Sequence, residues 1–302
     1  MEIKAAGRIV HNGADTMRIK TFVFMATALI LLPNYASMAI ATDLKSEYLR
    51  GIDLASQGKY EEAKNTLEKS LADELIKPYA ELEINAINDV LNGKVKADIA
   101  ARAFKGKSYA VNKNWNQAIS EYYKVIEFSP SFRYAYVSRG NAYLETKSYG
   151  KAVEDYSEAI KLDPNDADVF NKRGVSYQWK GNIDKAIKDY SSAIDLNPSS
   201  AIYYCNRGRA YYVKGKLEEA LADLEKATKM KANYVDAYLV KGWTYKDLKQ
   251  NENAISAYKK VIELDTSENK YATREAEGAI KDLESRIVKE AEKKSDDSKK
   301  NK

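Results

Sequence analysis

Between residues 99 and 268 the apolar positions recur with a period of 34, and inside each period they fall on two stripes of helical spacing. Phe170, Gly174 and Tyr177 are four and three residues apart, so they share one helical face, and Ala186, Tyr190 and Ala193 do the same further along. Each period therefore predicts two amphipathic helices. Ser129-Pro130, Asp163-Pro164-Asn165 and Asn197-Pro198-Ser199 end the second helix in three of them. The register is strict. Gly106, Gly140, Gly174, Gly208 and Gly242 stand 34 apart. A tyrosine follows each by three (Tyr109, Tyr143, Tyr177, Tyr211, Tyr245) and an alanine by twelve (Ala118, Ala152, Ala186, Ala220, Ala254). A large residue follows by sixteen (Tyr122, Tyr156, Tyr190, Leu224, Tyr258). Glycine and alanine lack bulk, so two helices can approach closely, and the large residues fill the space beside them. One pair cannot bury both of its faces, so neighbouring pairs must stack.

These residues resemble the tetratricopeptide repeat family: an aromatic at the fourth position of the unit, Gly at the eighth, Tyr at the eleventh, Ala at the twentieth and Pro near the end. The resemblance implies an all-α fold, a right-handed superhelical solenoid of stacked antiparallel helix pairs. Five units in register cover 99–132, 133–166, 167–200, 201–234 and 235–268, and a divergent unit around Gly51 and Ala63 covers 44–71. The frame breaks once, because Gly51 and Gly106 stand 55 apart, one period plus 21. The surplus, 72–98, carries Leu82, Ile84, Ala86, Ile87, Val90 and Leu91 and predicts an extra helix and a linker. After the last unit, Ala276, Ile280, Leu283 and Ile287 form one stripe, which predicts a capping helix over 269–293 that covers the open end of the stack. A membrane-surface helix is the alternative there. Residues 294–302 are charged and predict a disordered tail.

The first 41 residues differ from the rest. Arg18 and Lys20 precede an apolar stretch, Thr21 to Leu32, that is too short to span a bilayer comfortably. Pro33 follows, and Ala39-Ile40-Ala41 fits a small-residue cleavage site. The reading is a secretory signal peptide with an overextended start before Met17, which places the repeats with exported bacterial members of the family, in the periplasm of the cell envelope. The alternative is an uncleaved anchor over Phe22 to Ala41, and membrane contact is expected only then.

Chemistry narrows quickly. His11, the one histidine, lies in the leader, and Cys205 is the one cysteine. Without the leader no Ser-His or Cys-His dyad and no His/Cys zinc site can be assembled, and no phosphate loop of the G-x-x-x-x-G-K-[ST] kind occurs. No catalytic residue, metal ligand or cofactor is expected, so the protein reads as a non-enzyme. The charge balance, 49 basic against 44 acidic residues, is spread along the chain and does not predict a nucleic-acid partner.

Position 7 departs from the family, which usually has Leu there. It holds Lys105, Arg139, Arg173, Arg207 and Lys241, and sixteen residues later stand Glu121, Asp155, Asp189, Asp223 and Ala257. Four units thus predict a ladder of ion pairs between their helices. Positions 2, 5, 9 and 12 of each first helix lie on another face, which in the family lines the concave surface. It changes from unit to unit while the packing stripe stays fixed, as recognition requires. The resemblance implies a protein or peptide partner held there by a scaffold, with Asn141, Asn171, Trp179, Arg209, Tyr212 and Trp243 as candidate contacts. Packing between adjacent first helices is the other reading of the aromatics, and a small-molecule or glycan ligand in the cell envelope is the alternative function. The family's clamp for a chaperone's terminal carboxylate is not matched: Asn141 and Asn206 fit single places, but Val137, Lys172, Asp236 and Val240 occupy others.

Overall fold

A computed structural model describes residues 38–73, 76–267 and 270–300, with the side chains of 38–43 and 293–300 excepted. The expected leader lies outside the described residues as far as residue 37. Among those described the chain is all-α, with fourteen α-helices and no strand. Helices α1 (Met38–Ser56) and α2 (Tyr60–Lys69) form a first pair, and α3 (Lys77–Leu91) follows alone. Five pairs come next: α4 (Ala97–Val111) with α5 (Trp115–Phe128), α6 (Arg133–Glu145) with α7 (Tyr149–Leu162), and α8 (Ala167–Trp179) with α9 (Ile183–Leu196). Then come α10 (Ala201–Val213) with α11 (Leu217–Met230) and α12 (Val235–Asp247) with α13 (Asn251–Leu264), before α14 (Tyr271–Lys300).

Local chemistry sets the ends of these helices. The turn inside each pair needs one residue in the left-handed region. Gly181 and Gly215 supply it at φ 85° and 78°, and Lys147 and Lys249 are forced into it at 58°. Asp163 and Asn197 end second helices with extended backbone, as the following prolines require. Their side-chain oxygens accept the N–H groups of Asn165 at 3.0 Å and Ser199 at 3.2 Å, which closes the turn.

Packing within a pair depends on the glycines. A Cβ on Gly174 would lie 2.7 Å from Cε1 of Tyr190, and one on Gly140 would lie 2.8 Å from that of Tyr156. Gly106 and Gly242 stand in the same relation to Tyr122 and Tyr258, whereas Gly208 meets the smaller Leu224 at 3.0 Å. The five alanines twelve residues on are fully buried. Each second helix then packs on the first helix of the next pair, and α13 packs on α14. The pair α1–α2 is built the same way, with Gly51 against Leu67. It docks on the stack through α1 against α4, however, because α3 lies along α2 and reaches on to α4 and α6.

The position-7 ladder forms in three units. Arg139, Arg173 and Arg207 each grip the acid sixteen residues on through two bonds: 2.9 and 2.7 Å to Asp155, 2.7 and 2.8 Å to Asp189, 2.7 and 2.9 Å to Asp223. The same cations also reach back sixteen residues. Arg173 and Arg207 donate to Ser157 and Ser191 at 3.1 Å, and Arg139 lies 5.5 Å from the Tyr123 ring centre. Each guanidinium therefore ties its own pair to the one before. The end units differ. Glu121 pairs with Arg102 at 3.0 Å instead of Lys105, and Lys241, which has no acid ahead of it, turns back to Glu225 at 3.8 Å.

At the far end Ala276 and Leu283 of α14 are fully buried, while Ile287 is exposed. Burial works against the Asp265 carboxylate, but bonds from Ser267 and Thr273, the latter at 3.0 Å from N–H and 2.9 Å from the hydroxyl, hold its pKa below the usual range. The tail expected to be disordered from residue 294 instead continues α14 to Lys300, over a stretch that contains no Gly or Pro to break it.

Candidate binding groove

Positions 2, 5, 9 and 12 of the first helices α4, α6, α8, α10 and α12 are the ones expected to form the groove face, and on α10 and α12 Cys205, Arg209, Leu239 and Trp243 among them are buried. The two ends of that face are furnished differently. Over α4 and α6 the inserted helix α3 lies on the face. Glu83 of α3 is completely buried. It meets Lys107 Nζ at 3.0 Å and accepts hydrogen bonds from Tyr134 at 3.3 Å and Tyr48 at 3.2 Å. Tyr79, one turn earlier, presents its ring to Lys107 at 5.5 Å and to Lys172 of α8 at 5.9 Å. Burial disfavours the Lys107 charge, but Glu83 outweighs it and holds the amine above its ordinary value. Burial also pushes the Tyr134 phenol well up, which keeps it a neutral donor. The site was missed from sequence, although a signal was present. Ala80, Glu83 and Ile87 have the spacing of a buried stripe, and an acid on such a stripe needs a cation.

Tyr79 of α3 reaches as far as α8 and α14 packs on α12, while α10 between them meets only helices of the stack among the described residues. The candidate contacts there sort into small groups. Asn206 donates to Asn171 at 2.9 Å, and Asn141 accepts from Tyr156 at 2.8 Å. The Tyr212 ring packs against Trp243 with centres 6.0 Å apart, and its hydroxyl donates to Asp247 at 2.9 Å. Trp243 is only 8% exposed. Trp179 stacks on Tyr149 of α7 at 5.6 Å with the rings nearly parallel. Cys205 is fully buried, and burial pushes its thiol up to about 11. Arg209 is 1% exposed, yet its Nε and Nη1 find no acceptor. Gln178 accepts from Tyr190 at 2.9 Å while its own amide nitrogen is idle. The structure thus gives Trp179, Trp243 and Tyr212 aromatic partners within the fold and leaves two buried N–H groups of Arg209 without an acceptor.

The repeat model described as "TPR repeat" matches residues 140–181, 179–215 and 208–245, and the "Tetratricopeptide repeat" model matches 235–268. Residues 140–268 are repeats of the tetratricopeptide repeat family. Among solved structures, this TPR protein resembles YrrB, a TPR protein with an unusual peptide-binding site, at 21% identity and a TM-score of 0.50 over 61% of this chain and 93% of that one. It also resembles MamA: one structure is 24% identical with a TM-score of 0.51 over 55% of this chain and 97% of that one. A second is 23% identical with a TM-score of 0.52 over 57% and 94%. These likenesses show the TPR fold. Among curated proteins no sequence matches the chain. No described helix is long and apolar enough to cross a membrane.

Proposed function

We propose that this protein is a non-enzymatic scaffold that holds a protein or peptide segment on the face made by its first helices. One observation carries the reading: α3 already lies on that face, held through Glu83, so the face accommodates a helical guest. The repeat pattern supports it. Position 9 runs Lys107, Asn141, Val175, Arg209 and Trp243, while the glycine one place before it never changes. The likeness to YrrB, with its peptide-binding site, agrees with this reading. A glycan or small molecule is less supported, because Tyr212 and Trp243, the aromatics it would stack on, face each other.

Export belongs to the same proposal. The leader would carry the protein to the periplasm, and cleavage after Ala41 would remove only the first residues of α1. Tyr48, Ile52 and Ala55, which bury that helix, stay in place. N-terminal sequencing of the exported protein checks this, and a chain still beginning at Met1 or Met17 refutes it. The scaffold reading is tested by in-cell crosslinking and affinity capture with the parent and with Ile202→Glu, a change at a 43% exposed position 2 of α10. A partner captured by the parent and lost from the variant is the expected result. An identical captured set in both overturns it.

A further inference from the structure

The face made by the first helices carries cations at two equivalent places. Lys107 on α4 and Arg209 on α10 are three periods apart, so both stand at position 9. Their surroundings correspond too: position 2 of the next unit is Tyr134 at the Lys107 site and Asp236 at the Arg209 site. At Lys107 the arrangement is complete. A carboxylate brought by a helix lying on the face meets the amine, and tyrosine hydroxyls hold its oxygens. At Arg209 the cation is more deeply buried, and no carboxylate bonds to it. Asp236 is near enough that Arg209 works against the stronger upward push of burial on its carboxyl, but Nε and Nη1 of Arg209 do not bond to it. Nε and Nη1, on two edges of the guanidinium, stay idle. Tyr190, whose phenol feels Arg209, bonds to Gln178, which holds a second idle donor. Tyr122 and Ser138, at the filled end, also have unbonded hydroxyls, but these are neutral and far cheaper to leave so. A buried guanidinium with unmet N–H groups is instead a site that lacks its anion.

We infer that Arg209 binds a carboxylate side chain on an acidic helical segment of a partner protein, which lies against α8, α10 and α12 as α3 lies against α4 and α6. The inference rests on the scaffold reading and narrows it to one chemistry at one place. It differs from the terminal-carboxylate clamp, whose positions this chain does not fill. The guest is a helix carrying an internal acid among apolar residues, as α3 does with Glu83 between Leu82 and Ile84.

The test is a double-mutant cycle between peptide and protein. The probe is a synthetic peptide copying residues 77–91 with blocked ends, together with the same peptide carrying Glu83→Gln. Each is titrated into the full chain, whose own α3 already occupies Lys107. The parent is expected to bind the Glu peptide about tenfold more tightly than the Gln peptide, the loss typical of one charge-assisted bond. Arg209→Gln should erase that preference, and Arg209→Lys should retain most of it. Equal affinity of the parent for both peptides, absence of binding by the Glu peptide, or a preference that survives Arg209→Gln would each overturn the inference. The peptide-side change needs no alteration of the protein, so the comparison holds even if Arg209→Gln does not fold. Capture of a cellular partner that survives Arg209→Gln but is lost with Ile202→Glu refutes the carboxylate site and leaves the scaffold reading standing.

Discussion

At α4 the position-9 cation is met by a carboxylate and two tyrosines, and the helix that brings the carboxylate belongs to the same chain. At α10, three periods on, the corresponding cation is buried without an acceptor, and no helix lies over it among the described residues. The two regions share the same glycines, the same buried alanines and the same pair-to-pair packing. Stacking chemistry and recognition chemistry are therefore separable here: the first repeats without change, and the second is decided by whatever lies on the face. The filled end indicates what the open end can accept.

The largest expected effect tests the filled end. Glu83→Ala would leave Lys107 buried and unpaired, and breaking a buried pair from one side costs about 3–5 kcal/mol. Urea unfolding of the full chain measures it, and a loss below about 1 kcal/mol would mean that α3 is not anchored through this pair. The pH dependence gives a second reading. Lys107 titrates above its ordinary value in the fold, so the pair's contribution is complete at neutral pH and is lost as pH rises beyond about 10.4. In Glu83→Gln the pairing that offsets burial is gone, so the folded value of Lys107 drops below the unfolded one and the sign reverses: stability should climb as pH rises toward about 10.4 and level off beyond it.

Next come the glycines, which sharpen the comparison by showing what does not differ. Gly140→Ala belongs to the filled half and Gly174→Ala to the open half, and each new methyl would meet a buried tyrosine ring at under 3 Å. Alanine gains about 1 kcal/mol in a helix interior, against an overpacking cost of about 1–3 kcal/mol, for a net loss of up to about 2 kcal/mol at both positions. Thermal unfolding of the two variants should agree, and a large difference between them would break the claim of common stacking.

Arg209→Met is expected to shift stability by less than about 1 kcal/mol, or to raise it, because it removes a buried charge that bonds nothing. A loss comparable to that of Glu83→Ala, measured in the same urea series, would make Arg209 a structural residue and erase the contrast between the two ends. The smallest effect lies in the turns. Lys147→Gly and Lys249→Gly relieve a left-handed lysine in either half, with a gain of under about 1 kcal/mol each. Gains of opposite sign in the two halves would show that the turns are not equivalent.

Much of this was legible in the sequence because it is written five times. Gly174, Ala186 and Tyr190 are unremarkable alone, but their recurrence identifies helix, partner helix and contact together. The cation at position 7 was legible for the same reason, and the expected pair failed at Lys105, where Arg102 takes over Glu121; Lys241, for which Ala257 leaves no acid ahead, turns back to Glu225. The groove was harder to read, since its residues occur once each. Trp243 and Arg209 occupy positions that face a partner in the family, yet adjacent first helices pack closely enough to bury both. The buried stripe of Ala80, Glu83 and Ile87 marked Glu83 as an acid in need of a cation, but α3 stands outside the period, so no register could assign it to Lys107. The helical continuation to Lys300 was missed because composition alone does not separate a charged helix from a charged coil.

The central claim, that the first-helix face is where a partner sits, is tested most directly by site-specific photocrosslinking in cells. One benzophenone side chain would replace Ile202, 43% exposed on α10, and another would replace Phe128, 71% exposed at the end of α5. The account predicts a discrete crosslinked partner from position 202 and none from position 128. A partner trapped from position 128, with nothing from position 202, would place recognition on the outer helices and contradict it.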